Sequence, residues 1–251
     1  MNNYTYSFLK NVANSKNSKN TKKINNLQNL QHNQSNNSNN SKTLFDKDMN
    51  YYICSFGGSG STVLFNYLSN FGNVFHIHDR FPPKKLKYIG TNNTTENIYS
   101  EWFNNIEVPD SELKKYKVIY IYRNPLKVIY SRFVQAHGAN IPHLKNIMCE
   151  NNGNIQLIDV LKNNKDLYKL EEFFDNYTTC HERNYKIYCV KYELFWDNIS
   201  LFNKALSIPD IRELYPVKYE KPKKINYQQQ LNIIYRPLLY KMHNMNFIKI
   251  V

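Results

Sequence analysis

The sequence predicts an α/β fold of three layers, with a central parallel sheet of about four to five strands between helices. Three observations carry this. Residues 118–122 and 187–190 are short runs of apolar and aromatic residues without polar alternation, the pattern of strands buried on both faces. Such runs alternate along the chain with segments whose apolar residues recur at helical spacing, which is the order of a parallel sheet. A glycine-serine turn also joins the first run directly to a helical pattern, in YYICSFGGSGSTVLFNYLS at 51–69. The fold is expected over 50–251. Residues 1–49 are dominated by Asn, Ser, Lys and Gln, with tracts such as SNNSNNSK, and cannot bury enough apolar surface to fold alone. They read as a disordered tail, with a passive extension preferred over tethering or nucleic-acid contact.

The elements follow in order. The first strand runs into Gly57, Gly58, Ser59 and Gly60, where glycine permits backbone angles that turn successive N–H groups toward one anion. Ser61 and Thr62 then open a helix, whose unpaired first amides and dipole favour the same anion. No lysine follows Gly60, so the Gly-Lys-Ser/Thr ending of an ATP- or GTP-binding loop is missing and an ordinary nucleoside triphosphatase is disfavoured. Residues 74–77 read as a second strand, with His78 at its end. One or two short helices are expected over 96–116, separated by Pro109 and capped by Asp110 or Ser111. The third strand, 118–122, delivers Arg123 to its carboxyl end, where open parallel sheets bind ligands. Asn124 can cap the next helix, Pro125 suits its first position, and Leu126, Ile129, Tyr130 and Phe133 continue it. Ser131 lies about two turns beyond Arg123 and can offer a hydroxyl to the same anion. Residues 155–180 carry helical packing positions, 187–190 form a fourth strand, and 227–245 form a C-terminal helix interrupted near Pro237.

Three of these segments resemble one family. SFGGSGSTVL resembles the 5′-phosphosulfate loop of sulfotransferases, usually Ser-Phe-Pro-Lys-Ser-Gly-Thr-Thr-Trp-Leu. YIYRNPLKVIYSRF is similar to that family's 3′-phosphate motif, an arginine before Asn-Pro followed eight positions later by a serine, matched by Arg123 and Ser131. YCVKYELFWDN resembles the Arg-Tyr-Glu-Asp-Leu strand end, with Tyr192 and Glu193 at the Tyr-Glu positions and the tyrosine expected near adenine. The resemblance implies a P-loop-like sulfotransferase fold and 3′-phosphoadenosine 5′-phosphosulfate (PAPS) as donor. The loop (Gly57, Gly58, Ser59, Gly60, Ser61, Thr62) would hold the phosphosulfate, and Arg123 and Ser131 the 3′-phosphate.

Two family features are missing. Gly57 and Gly58 replace Pro-Lys, removing the lysine that stabilises charge on the leaving oxygen, a loss of roughly 3 kcal/mol, or about a hundredfold or more in rate, for one preorganised donor. The C-terminal Arg-Lys-Gly is absent too, and the basic run KYEKPKK at 218–224 is its nearest substitute. For the base, His78 at the second strand's end occupies the family's usual place, and an imidazole of ordinary pKa suits proton abstraction near neutrality. His76 is the runner-up. Asp79 is expected to orient the imidazole, and Arg80, Lys84 or Lys85 to supply the missing positive charge. His78 and Arg80 are therefore the expected catalytic pair.

Other classes are weaker. Cys54, Cys149, Cys180 and Cys189 are widely spaced, without Cys-x-x-Cys or His-x-x-x-His, so no metal is expected. No disulfide framework, secretory segment or run of about twenty apolar residues is visible, and an intracellular, cytoplasmic location without a membrane span is expected. The net charge of +13 suits a polyanionic donor, an acidic glycan or RNA alike, and no zinc-finger, basic-zipper or RNA-recognition pattern selects nucleic acid. The expected activity is sulfuryl transfer to a hydroxyl or amine on a carbohydrate, protein or small molecule. An inactive PAPS-binding relative is the alternative and a P-loop nucleotide kinase the second.

Overall fold

A computed structural model describes residues 48–89, 106–135, 155–218 and 227–251. Four parallel strands and one antiparallel strand build a single sheet in the order β2-β1-β3-β4-β5. These are β1 (Asn50–Cys54), β2 (Asn73–Ile77), β3 (Tyr116–Tyr122), β4 (Ile187–Lys191) and β5 (Ile248–Ile250). Side-chain alternation along them divides the core into two layers. Tyr52, Cys54, Val118, Tyr120, Tyr122 and Cys189 pack on one face against α2 (Pro125–Ile129), α4 (Leu170–Thr178), α6 (Gln228–Ile234) and α7 (Arg236–His243). Tyr51, Ile53, Ile119, Ile121, Tyr188 and Val190 pack on the other against α1 (Ser61–Leu68) and α5 (Ile199–Leu206). The predicted three-layer α/β fold is the one observed. The sheet is fully sandwiched because β3 and β4 are apolar on both faces, with Ile119, Ile121, Cys189 and Val190 fully buried.

Several local expectations are revised. Asn124 does cap α2, accepting the Leu126 N–H at 2.9 Å, with Pro125 in the first turn. The helix does not continue as α-helix through Phe133, however, but widens into a π-helical segment at Tyr130–Gln135, a geometry that tends to occur at functional sites. Asp110–Lys115 is a 3₁₀ helix with Pro109, not Asp110 or Ser111, at the cap position. Asp110 instead accepts the Asn184 side-chain amide. Expected helices over 96–105 lie outside the described residues, as does the 1–47 portion of the tail. The C-terminal helix is two helices that break at Tyr235, with Pro237 in the first turn of α7 where its missing N–H costs no bond. The chain then returns as β5, antiparallel to β4 with Val190 opposite Ile248 and Tyr188 opposite Ile250. A short helix, α3 (Leu157–Asn163), adds Val160 and Leu161 to the first of the two core layers.

Candidate functional site

The loop after β1 is a cradle of backbone donors. Gly57, Gly58 and Gly60 all have positive φ, at 94°, 71° and 93°. The N–H groups of residues 58–62 make no hydrogen bond among the described residues, so consecutive donors are left available in the loop that follows β1. Gly60 stands at the N-cap of α1 in the left-handed region, and no side chain caps that helix. Its orphan amides therefore extend the cradle. Ser55 Oγ accepts the Gly57 N–H at 3.2 Å and fixes how the loop leaves the strand. Ser59 and Ser61 are buried, and Thr62 is exposed.

Two close approaches bring the other motifs onto this loop. A Cβ on Gly58 would lie 3.3 Å from the Val128 carbonyl oxygen and 3.4 Å from Ser131 Cβ, so Ser131 overhangs the loop from the α2–π junction. A Cβ on Gly60 would enter the ring of Tyr192, which therefore lies directly against the loop. The Arg123 guanidinium in turn sits over that same ring, 4.5 Å from its centroid. Arg123 Nε is buried without a hydrogen-bond partner, an uncommon state for a cation and one that an anion would relieve. Loop, Arg123, Ser131 and Tyr192 are thus one constellation assembled from three strand ends. The glycine cradle and the orphaned guanidinium nitrogen fit a nucleotide with negative charge at both ends.

The tightness at Gly60 makes a direct prediction. Gly60→Ala adds a side chain in a left-handed backbone and displaces Tyr192. At about 1–3 kcal/mol for such strain, the melting temperature should fall by several degrees and nucleotide binding should weaken in parallel. Gly57→Ala, at a similar positive φ of 94°, is the comparison for backbone strain.

His78 directly follows β2 and is buried. Its Nδ1–H donates to the Ser55 carbonyl at 2.7 Å, which leaves Nε2 as the basic nitrogen of the neutral ring. The expected orienting role of Asp79 is not what the structure shows. The Asp79 carboxylate accepts the Phe81 N–H at 2.8 Å, and burial raises its pKa above the usual carboxylate value. His76 faces α1, donating from Nε2 to the Ser61 carbonyl at 3.2 Å, and burial lowers its pKa. That bond fixes the start of α1 and suits a structural role.

Among the candidate compensating cations, Lys85 is exposed and paired with Glu107 at 2.9 Å. Lys84 lines a separate cavity with Phe81, Asn176 and Arg183. Arg80 remains. Its side chain is only 6% exposed, it reaches Glu172 at the start of α4 at 3.3 Å, and its Nε has no hydrogen-bond partner. Within the basic run 218–224, Lys218 lies 5.9 Å from the Trp196 ring centroid and 219–224 are outside the described residues.

One positioning residue had a sequence signal but no assigned role. Glu193 Oε1 accepts the Asn124 N–H at 2.8 Å, tying the end of β4 to the turn that presents Arg123. The Tyr-Glu pair thus carries two functions, Tyr192 supporting the guanidinium and Glu193 holding its backbone. Among the described residues no group of three or more His, Cys, Asp or Glu could hold a metal ion. No helix among them is long and apolar enough to cross a membrane.

The model of the sulfotransferase domain matches residues 48–225, well over half of the chain. No curated protein and no solved structure matches it. The matched span runs from β1 past Trp196 and includes the loop, His78, Arg123, Ser131 and Tyr192. The chain belongs to the sulfotransferase family.

Proposed function

We propose that this chain transfers the sulfuryl group of PAPS to a hydroxyl or amine of an acceptor, using residues 50–251 as the transferase unit. The observation that carries this reading is the meeting of Gly58 with Ser131 and of Gly60 with Tyr192, over whose ring the Arg123 guanidinium lies. The loop amides would hold the 5′-phosphosulfate, Arg123 and Ser131 the 3′-phosphate, and Tyr192 the nucleoside. His78 Nε2 takes the acceptor's proton as the acceptor atom bonds to sulfur, and the bond from sulfur to the phosphate oxygen breaks. The electrons of that bond leave with adenosine 3′,5′-bisphosphate (PAP). Positioning and fixed charge dominate such transfers, as they do for phosphoryl groups. Arg80, buried and incompletely satisfied, supplies the cationic charge that the loop lacks at Gly58.

Gly58 also favours a second reading, a relative that binds the donor without transferring sulfate. Restoring lysine at 58 does not distinguish the two, because φ is positive there and Val128 O and Ser131 crowd any Cβ. Two measurements do. PAP at about 100 times its dissociation constant should stabilise the fold by roughly 2.7 kcal/mol, a melting shift of about 5–10 °C, whereas ATP with Mg²⁺ should give little. Labelled sulfate should then pass from PAPS to acceptors in a cell extract, and Arg80→Ala should abolish this with the PAP shift retained. A PAP shift without transfer selects the binding relative, and an ATP–Mg²⁺ shift exceeding that of PAP overturns both readings.

A further inference from the structure

The residues on either side of Arg123 and Tyr192, at the ends of β3 and β4, contribute to a second crevice. Tyr122 and Asn124 flank Arg123 in the chain, and Lys191 and Glu193 flank Tyr192. These four residues, with Lys127, Leu239, Met242 and His243, line a crevice of about 220 Å³ between α2 and the end of α7. It shares no lining residue with the constellation at the loop. Its composition is asymmetric, with Tyr122, Leu239 and Met242 forming an apolar floor and Lys127, Lys191 and His243 a basic wall. Lys191 is held in place by donating to the Met242 carbonyl at 2.8 Å. Glu193 is engaged by the Asn124 amide. The side chains of Lys127 and His243 make no hydrogen bond or ion pair among the described residues.

We propose that this crevice binds a small organic oxyanion, a carboxylate, sulfate or phosphate ester carried on one ring or a few carbons. Charge and floor both contribute to the assignment. Two lysines and an imidazole against one carboxylate that is already hydrogen-bonded favour an anion, and the apolar floor favours an organic body over a bare inorganic ion. The crevice volume of about 220 Å³, below the roughly 300–1,000 Å³ of sites for drug-sized ligands, suits a small one.

Phenyl phosphate is the probe, titrated by calorimetry into the full chain, into Lys127→Glu and into Arg123→Ala, with inorganic phosphate as the comparison ligand. Phenyl phosphate should bind the unaltered chain more tightly than phosphate does. Lys127→Glu should weaken it by at least about tenfold, the effect of removing one charge-assisted hydrogen bond, and Arg123→Ala should leave it within about twofold. Equal binding to the chain and Lys127→Glu, or loss of binding in Arg123→Ala, overturns the proposal, the latter because the anion would then sit at the loop. These outcomes do not depend on PAP, so failure here and failure of the donor assignment are separately visible.

Discussion

His78→Asn should lower kcat by about two to four orders of magnitude, the usual contribution of a positioned general base, while PAP affinity changes by less than about twofold. Asparagine is the informative replacement because its side-chain amide can still donate to the Ser55 carbonyl, as Nδ1–H does at 2.7 Å. The buried bond that fixes the end of β2 to the start of the loop survives, and only the basic Nε2 is lost. His78→Ala would remove both and leave a buried carbonyl unsatisfied, confounding base removal with loss of about 1–3 kcal/mol of stability. Single-turnover kinetics with saturating donor and acceptor read the chemical step directly. Unchanged kcat in His78→Asn would assign proton removal elsewhere, and a parallel loss of PAP affinity would show a structural role instead.

Arg123→Ala should weaken PAP binding about tenfold to a hundredfold, equivalent to the roughly 1.5–3 kcal/mol of hydrogen bonds to a charged group. The cost should fall on binding and not on the chemical step, because the 3′-phosphate is remote from the transferred group. The free protein should tolerate the change, since Arg123 Nε is buried without a hydrogen-bond partner among the described residues and the guanidinium is stacked on Tyr192. Arg123→Lys should restore only part of the affinity. An ammonium keeps the charge but loses the planar fork and the stacking on the ring. Differential scanning calorimetry of the free and PAP-bound variants separates these effects.

The layers of this fold were legible because β3 and β4 are apolar on both faces and the helical segments between strands are amphipathic. The loop and Arg123 were legible for a related reason, since glycine with positive φ and a charge at a strand end are side-chain properties that a sequence displays. What was not legible depends on backbone partners. The group that orients His78 is the Ser55 carbonyl, which every residue type possesses, so the acidic neighbour Asp79 was the natural but incorrect expectation. The π-helical widening at Tyr130–Gln135 leaves no mark in a pattern of apolar residues whose spacing still suits an α-helix. β5 has only three residues and gains its stability from pairing with β4, a tertiary effect beyond local propensity. The split at Tyr235 was displaced by two residues from its apparent cause, because proline is accommodated in a helix's first turn and the break precedes it.

The central claim is that the turn at 57–62 and the guanidinium of Arg123 serve one nucleotide from opposite ends. Calorimetric titration of the unaltered chain and of Arg123→Ala with PAP and with adenosine 5′-phosphate, which lacks only the 3′-phosphate, tests it most directly. The unaltered chain should prefer PAP by about tenfold or more, and Arg123→Ala should bind the two ligands with nearly equal affinity. A preference for PAP that survives unchanged in Arg123→Ala would place the 3′-phosphate elsewhere and contradict the account.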